Sequence, residues 1–175
     1  MTNTEAGCRA ELAVMQWLRS EGIKVKRAAY YAPFDLFTSV GSRIEVKYSK
    51  PQWISNGKYR MLGWRFNLHR HGERKAGSEV DVYIFYLSMD HASLKQLGCD
   101  ASVYLIIPAK DVDGVLTAAV SVRSMMTRYA KYFNNFQAIT DSDGTKTPND
   151  LRETQIRALI PSSQVASAHY EMDAK

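Results

Sequence analysis

Asp35, Glu45 and Lys47 are the residues of this 175-residue chain whose types and spacing could act together on one substrate. A strand running from Arg43 to about Tyr48 would project Arg43, Glu45 and Lys47 from one face and Ile44, Val46 and Tyr48 from the other. Asp35 follows Pro33-Phe34 and lies ten positions before Glu45. If Ser39-Val40-Gly41 is a three-residue hairpin loop with Gly41 left-handed, Thr38 pairs with Ser42 and Asp35 faces Glu45. A two-residue Val40-Gly41 loop would put the two carboxylates on opposite faces. Facing carboxylates repel, so a divalent cation is their natural partner. Hard oxygen donors of this kind suit Mg2+ or Mn2+, which keep several waters. Such an ion polarises a phosphate and helps to generate hydroxide. Lys47 could orient the attacking water or steady the charge on phosphorus. Glu11, beside the apolar stripe of the first helix, could be a further metal ligand or could position water.

Each of these residues alone also has an ordinary reading. An Asp after Pro is commonly a turn residue, a Glu-x-Lys on an edge strand is commonly solvated, and Glu11 could be the rim of an amphipathic helix. Their order along the chain, beside a basic segment, favours the functional reading.

The elements that must hold them follow from periodicity. Residues 3–21 read as an amphipathic helix, with Cys8, Leu12, Met15 and Leu18 at helical spacing and Gly22 as its stop. Ile23 to Lys26 alternates as a strand, and a second apolar stretch runs from Phe34 to Thr38. Asn56-Gly57 marks a turn. Trp64, Phe66 and Leu68 alternate with Arg65, Asn67 and His69 as a two-faced strand. Residues 70–79 read as a charged loop. Val80–Leu87 predicts a central strand, Ser93–Leu97 a short helix, and Val103–Ile107 a strand ended by Pro108. Met125, Tyr129, Tyr132, Phe133 and Phe136 predict a helix with an aromatic packing stripe. Asp141–Gly144 is a turn without the later ligands of a calcium loop, and Thr147-Pro148-Asn149-Asp150 has the form of a helix start. The expected organisation is an α/β core over residues 1–110, a mixed central sheet flanked by helices, with a helical extension over 111–175 packed on it.

Charge is concentrated. Residues 43–75 hold nine Lys or Arg against two acids, whereas the remaining fourteen basic and sixteen acidic residues nearly cancel. A local basic surface of this kind suits a phosphate backbone. Arg65 and Asn67, with Arg70, Arg74 and Lys75 beside them, are the candidate DNA contacts, extended by Arg43, Lys50, Lys58 and Arg60. Arg and Asn can read guanine and adenine edges, although phosphate contact dominates most interfaces. Trp53 and Tyr59 could stack on distorted bases or be buried. His69-Arg70-His71 lacks a third ligand nearby and reads as surface. Two cysteines, Cys8 and Cys99, are too few for a disulfide framework and read as reduced thiols. No apolar run approaches the roughly 18 residues of a membrane span, and the polar N-terminus is unlike a signal peptide. A soluble, cytoplasmic protein is expected.

The order Glu11, Asp35, Glu45-Val46-Lys47 resembles the PD-(D/E)XK nuclease superfamily, the restriction-endonuclease-like fold. The match is close over about residues 3–48. Phe34 stands where that motif's Pro precedes Asp, and residues 49–80 read as turn and strand where a helix is common. The resemblance implies magnesium-dependent phosphodiester hydrolysis, with Asp35 and Glu45 as metal ligands and Lys47 as a catalytic residue. Glu45-Val46-Lys47-Tyr48-Ser49 with an acidic first helix is similar to archaeal Holliday-junction resolvases. Val80–Tyr83 followed by Val103–Pro108 looks more like small intron-encoded homing endonucleases. The function implied is an endodeoxyribonuclease acting on DNA as a homodimer or higher homo-oligomer. Alternatives are a non-catalytic nucleic-acid-binding module on the same fold, or a metal-independent RNA nuclease, for which no acid–base pair is found.

Overall fold

The computed structural model describes residues 3–56, 59–70, 73–74, 79–96, 102–140 and 171–172. Helix α1 (Asn3–Ser20) leads into β1 (Val25–Arg27), β2 (Leu36–Thr38) and β3 (Arg43–Ser49). Two longer strands, β4 (Gln52–Asn56) and β5 (Tyr59–Asn67), are followed by the two-residue strands β6 (His69–Arg70) and β7 (Glu73–Arg74). Next come β8 (Val82–Leu87), α2 (Ala92–Gln96), β9 (Val103–Pro108), β10 (Thr117–Ser121), α3 (Val122–Met126), α4 (Gln137–Thr140) and β11 (Glu171–Met172).

The helix α1 stops where expected. Gly22 adopts φ +82°, its N–H donates to the Arg19 carbonyl at 3.0 Å, and the Ile23 N–H donates to the Leu18 carbonyl at 2.9 Å. These two bonds close the helix C-terminus around a left-handed glycine. The buried face differs from the expected stripe. Ala10, Val14 and Leu18 face the sheet, while Leu12 is 43% exposed. Ala10 is small enough for close approach, and Trp17 stacks on Tyr104 with centroids 4.4 Å apart, rotating the contact surface away from Leu12.

The main sheet runs β1-β2-β3-β8-β9. β3 and β8 are parallel and the other neighbours antiparallel, so the sheet is mixed. One face packs on α1 through Leu36, Ile44, Val82, Ile84 and Ile106. The other carries Tyr83, Phe85, Leu87, Leu105 and Ile107 against Leu62, Trp64 and Phe66 of a second sheet. Because both faces are covered, β8 and β9 are apolar at nearly every position. Phe66 stacks on Phe85 at 4.2 Å, and the Trp64 indole donates to the Ser88 carbonyl at 2.8 Å. The mixed sheet between a helix and a second sheet is the expected mixed α/β architecture.

Two expectations on the C-terminal side are corrected. The described part of the segment after residue 110 is not wholly helical: beyond a 3-10 turn over Ala109–Val112, Thr117–Ser121 is a strand paired antiparallel with β5. It supplies β5 with a neighbour on the edge that β4 leaves open, and buries Ala118 and Val120. The aromatic stripe of Met125 to Phe136 is not one helix. It holds the end of α3 and a 3-10 turn over Ala130–Tyr132, with Asn134 at φ +48°, and α4 starts only after Phe136. Met125, Tyr129, Tyr132 and Phe133 pack in the core beside the second sheet, and Phe136 packs on the α1 side. Splitting the helix lets one short segment serve both cores. Cys99, Lys58, Lys75, the Asp141–Gly144 turn and the helix start at Thr147 lie outside the described residues, as does most of the 70–79 loop. Among the described residues no helix is long and apolar enough to cross a membrane.

Candidate active site

The β2–β3 hairpin takes the three-residue loop. Gly41 has φ +94°, the Thr38 N–H donates to the Ser42 carbonyl at 3.0 Å, and the register is Phe37↔Arg43 and Leu36↔Ile44. Asp35 sits one step before this ladder. Its N–H donates to the Ile44 carbonyl at 2.9 Å, and its Oδ2 accepts the Val46 N–H at 2.8 Å. Asp35 is thereby fixed opposite Glu45, its backbone bonded to Ile44 and its carboxylate to Val46. The charged acceptor makes the bond to Val46 a strong one.

Glu45 is 5% exposed. Its Oε1 pairs with Lys47 Nζ at 2.8 Å, the two side chains lying on the same face of β3. A buried carboxylate without a cation would be costly, and Lys47 lowers that cost. In the parallel register Glu45 lies beside Tyr83 and Lys47 beside Phe85. Burial pushes the Tyr83 phenol up, and the Glu45 charge adds to the shift.

Asp35, Glu45, Lys47 and Glu11 line one cleft of about 380 Å³. Glu11 pairs with Arg27, with Oε2 2.7 Å from Nη2, and does not join the other two carboxylates in a ligand cluster. Among the described residues no three His, Cys, Asp or Glu side chains form one. The carboxylates left in the cleft that could hold a cation are those of Asp35 and Glu45. That pair fits Mg2+ or Mn2+, which are held by one or two carboxylates and water. Arg27 escaped the sequence reading; its signal is positional, since it ends β1 on the wall of the cleft. Its guanidinium also reaches Cys8 Sγ at 3.5 Å, and that hydrogen bond, then the Glu11 charge, raises its pKa. Tyr30 lines the same cleft and was likewise missed.

The expected DNA contacts divide into several groups. Arg43 is held by Asp81 through Nη2–Oδ1 at 2.8 Å and Nε–Oδ2 at 3.0 Å. It joins the starts of β3 and β8 and is not an open cation. Lys50 is exposed just beyond β3, and Arg65 and Asn67 are exposed on β5. Arg60 is exposed and lies over the Trp53 ring, 5.9 Å from its centroid. Trp53 is partly buried against the core, whereas Tyr59 is exposed. Arg70 and Arg74 belong to the β6–β7 pairing, and Lys75 lies outside the described residues.

A mixed sheet that carries Asp35 before its second strand and Glu45-Val46-Lys47 on its third, with α1 on one face, is the restriction-endonuclease-like fold. The structure of the bacterial homing endonuclease I-Ssp6803I matches with a TM-score of 0.55, covering 80% of this chain and 93% of that one at 14% identity. At that identity the likeness is one of fold. No protein-family model matches the sequence, and no curated protein matches it.

Proposed function

We propose that this protein is a divalent-metal-dependent endodeoxyribonuclease. The observation that carries the reading is the placement of Asp35, Glu45 and Lys47 in one cleft, on a fold shared with a homing endonuclease. Asp35 and Glu45 would hold Mg2+ or Mn2+. Once bound, the ion supplies a polarised phosphate and a water of lowered pKa. Lys47 holds the buried Glu45 side chain in place through their 2.8 Å ion pair, and its ammonium steadies negative charge at the phosphate. Lys50, Arg60, Arg65 and Asn67, with Arg70, Arg74 and Lys75, are assigned to DNA. With one site per chain, cutting both strands of a duplex favours a symmetric pair of chains.

The test offers plasmid, linear duplex and four-way junction to the protein with magnesium or with chelator. Cleavage requires the metal in this reading. Asp35→Ala and Glu45→Ala reduce it to background and weaken Mn2+ binding in calorimetry, while DNA binding persists. Lys47→Ala slows cleavage by about 100-fold or more, as expected on losing a positioned catalytic group, and leaves the Mn2+ isotherm in place. Cutting by either carboxylate variant at the parent rate overturns the assignment. DNA binding without any cutting by the parent makes the protein a binding module.

A further inference from the structure

Tyr30 and Tyr31 are 104% and 87% exposed, more than any other large hydrophobic side chain among the described residues. They sit on a turn between β1 and β2, closed by Ala32 N–H to the Ala29 carbonyl at 2.9 Å and by Ala28 N–H to the Asp35 carbonyl at 2.8 Å. Their neighbours Ala28, Ala29, Ala32 and Pro33 are too short to cover a ring. The backbone of the turn is bonded directly to Asp35, so the residues bearing the two rings are anchored next to a candidate catalytic carboxylate. Tyr30 itself lines the cleft with Asp35, Glu45 and Lys47. The same cleft presents Arg27, whose side chain is 49% exposed.

A ligand fitted to this rim has an anionic group for the candidate metal site, and a flat apolar face beside it. A nucleotide whose base has left the helical stack has both. Uncovered aromatic rings gain from stacking on any base, since every base has a π-face. Pulling a base out of a paired duplex costs a few kcal/mol, and least where it is mismatched or already unpaired.

We propose that Tyr30 and Tyr31 form a stacking platform for a base displaced from the duplex beside the scissile phosphate. The protein therefore prefers DNA whose bases are unpaired or easily unstacked. This inference rests on the nuclease reading and adds to it the substrate's shape.

The test measures dissociation constants in chelator for a perfect duplex and for the same duplex with a two-base mismatch, using the full chain. The parent binds the mismatched duplex more tightly. Tyr30→Ala and Tyr31→Ala each weaken that binding by roughly tenfold and bring the ratio toward one, while Tyr→Phe at either position retains it. Both side chains lie in solvent, so thermal unfolding of all four variants stays at the parent value. An unchanged ratio in the alanine variants, with binding and cleavage intact, overturns the platform and leaves the nuclease standing. An unchanged ratio with a parent dimer turned monomeric in sedimentation assigns the rings to self-association, and also overturns it. No DNA binding by the parent overturns both readings together.

Discussion

Arg43 contributes to the basic segment when charges are counted along the chain, but its partner is Asp81, 38 positions away. Nothing local announces that pairing; it requires β3 and β8 to lie side by side. The Arg43 hydrogen bond is the first cause holding the Asp81 carboxyl below its ordinary value, against a smaller opposing effect of burial. A carboxyl depressed in the folded state contributes stability above its unfolded pKa of about 4 and loses it as pH falls through the lower folded value. Asp81→Asn should therefore destabilise the protein at pH 7 by roughly 1 kcal/mol, since both partners are solvent-screened. In urea titrations the gap from the parent should close as pH drops below 4; a gap that persists in acid would deny the ion pair its role. The shared face of Glu45 and Lys47 was legible because strand alternation is a local rule, whereas the side taken by Asp35 hung on a two- or three-residue loop and is decided by the observed register. Arg27, Tyr30 and Tyr31 were not, because exposure and a shared cleft wall appear only once the sheet is assembled.

Among elements, β5 is the strand on which the second sheet depends. Its alternation of Trp64 and Phe66 with Arg65 and Asn67 was readable, and so was its apolar face. Its second neighbour, β10, was not readable, since the two alanines of Thr-Ala-Ala-Val-Ser dilute the strand preference of Thr and Val and the segment gains its place from pairing. Gly63 records how tight that pairing is. A Cβ there would stand 2.6 Å from the Val120 carbonyl oxygen and 3.1 Å from Ile54 Cδ1. The carbonyl is backbone and cannot turn aside. Gly63→Ala should cost roughly 1–3 kcal/mol, the range for forcing extra volume into a packed site, visible as a Tm lowered by several degrees. An unshifted Tm would mean that β10 is not held against β5 as described. The aromatic helix after residue 122 was misread for a related reason: its apolar spacing satisfies a helix, but the residues face two different cores.

Across the whole molecule, the concentration of positive charge was legible from counting, whereas its division into open and occupied cations was not. That division is measurable. Lys50→Ala, Arg60→Ala and Arg65→Ala should each reduce the slope of log affinity against log salt by about one, because one fewer counterion is released on DNA binding. Arg43→Ala should leave the slope unchanged, since Asp81 already neutralises it. Arg65, on an ordered strand face, should in addition cost roughly 1–3 kcal/mol on a preferred sequence if it reads a base edge. Binding isotherms at several salt concentrations on preferred and random duplexes separate these outcomes. Equal slopes for all four variants would place the DNA on another surface.

The parallel pairing of β3 with β8 also has a consequence during synthesis. The strand carrying Glu45 and Lys47 has its hairpin partner β2 at once, but its inner neighbour arrives only after the β4–β5 layer has been made. Pairing across so long a stretch is slow because the loop must close before any contact rewards it. The growing polypeptide therefore holds all three chemical groups well before it holds them still.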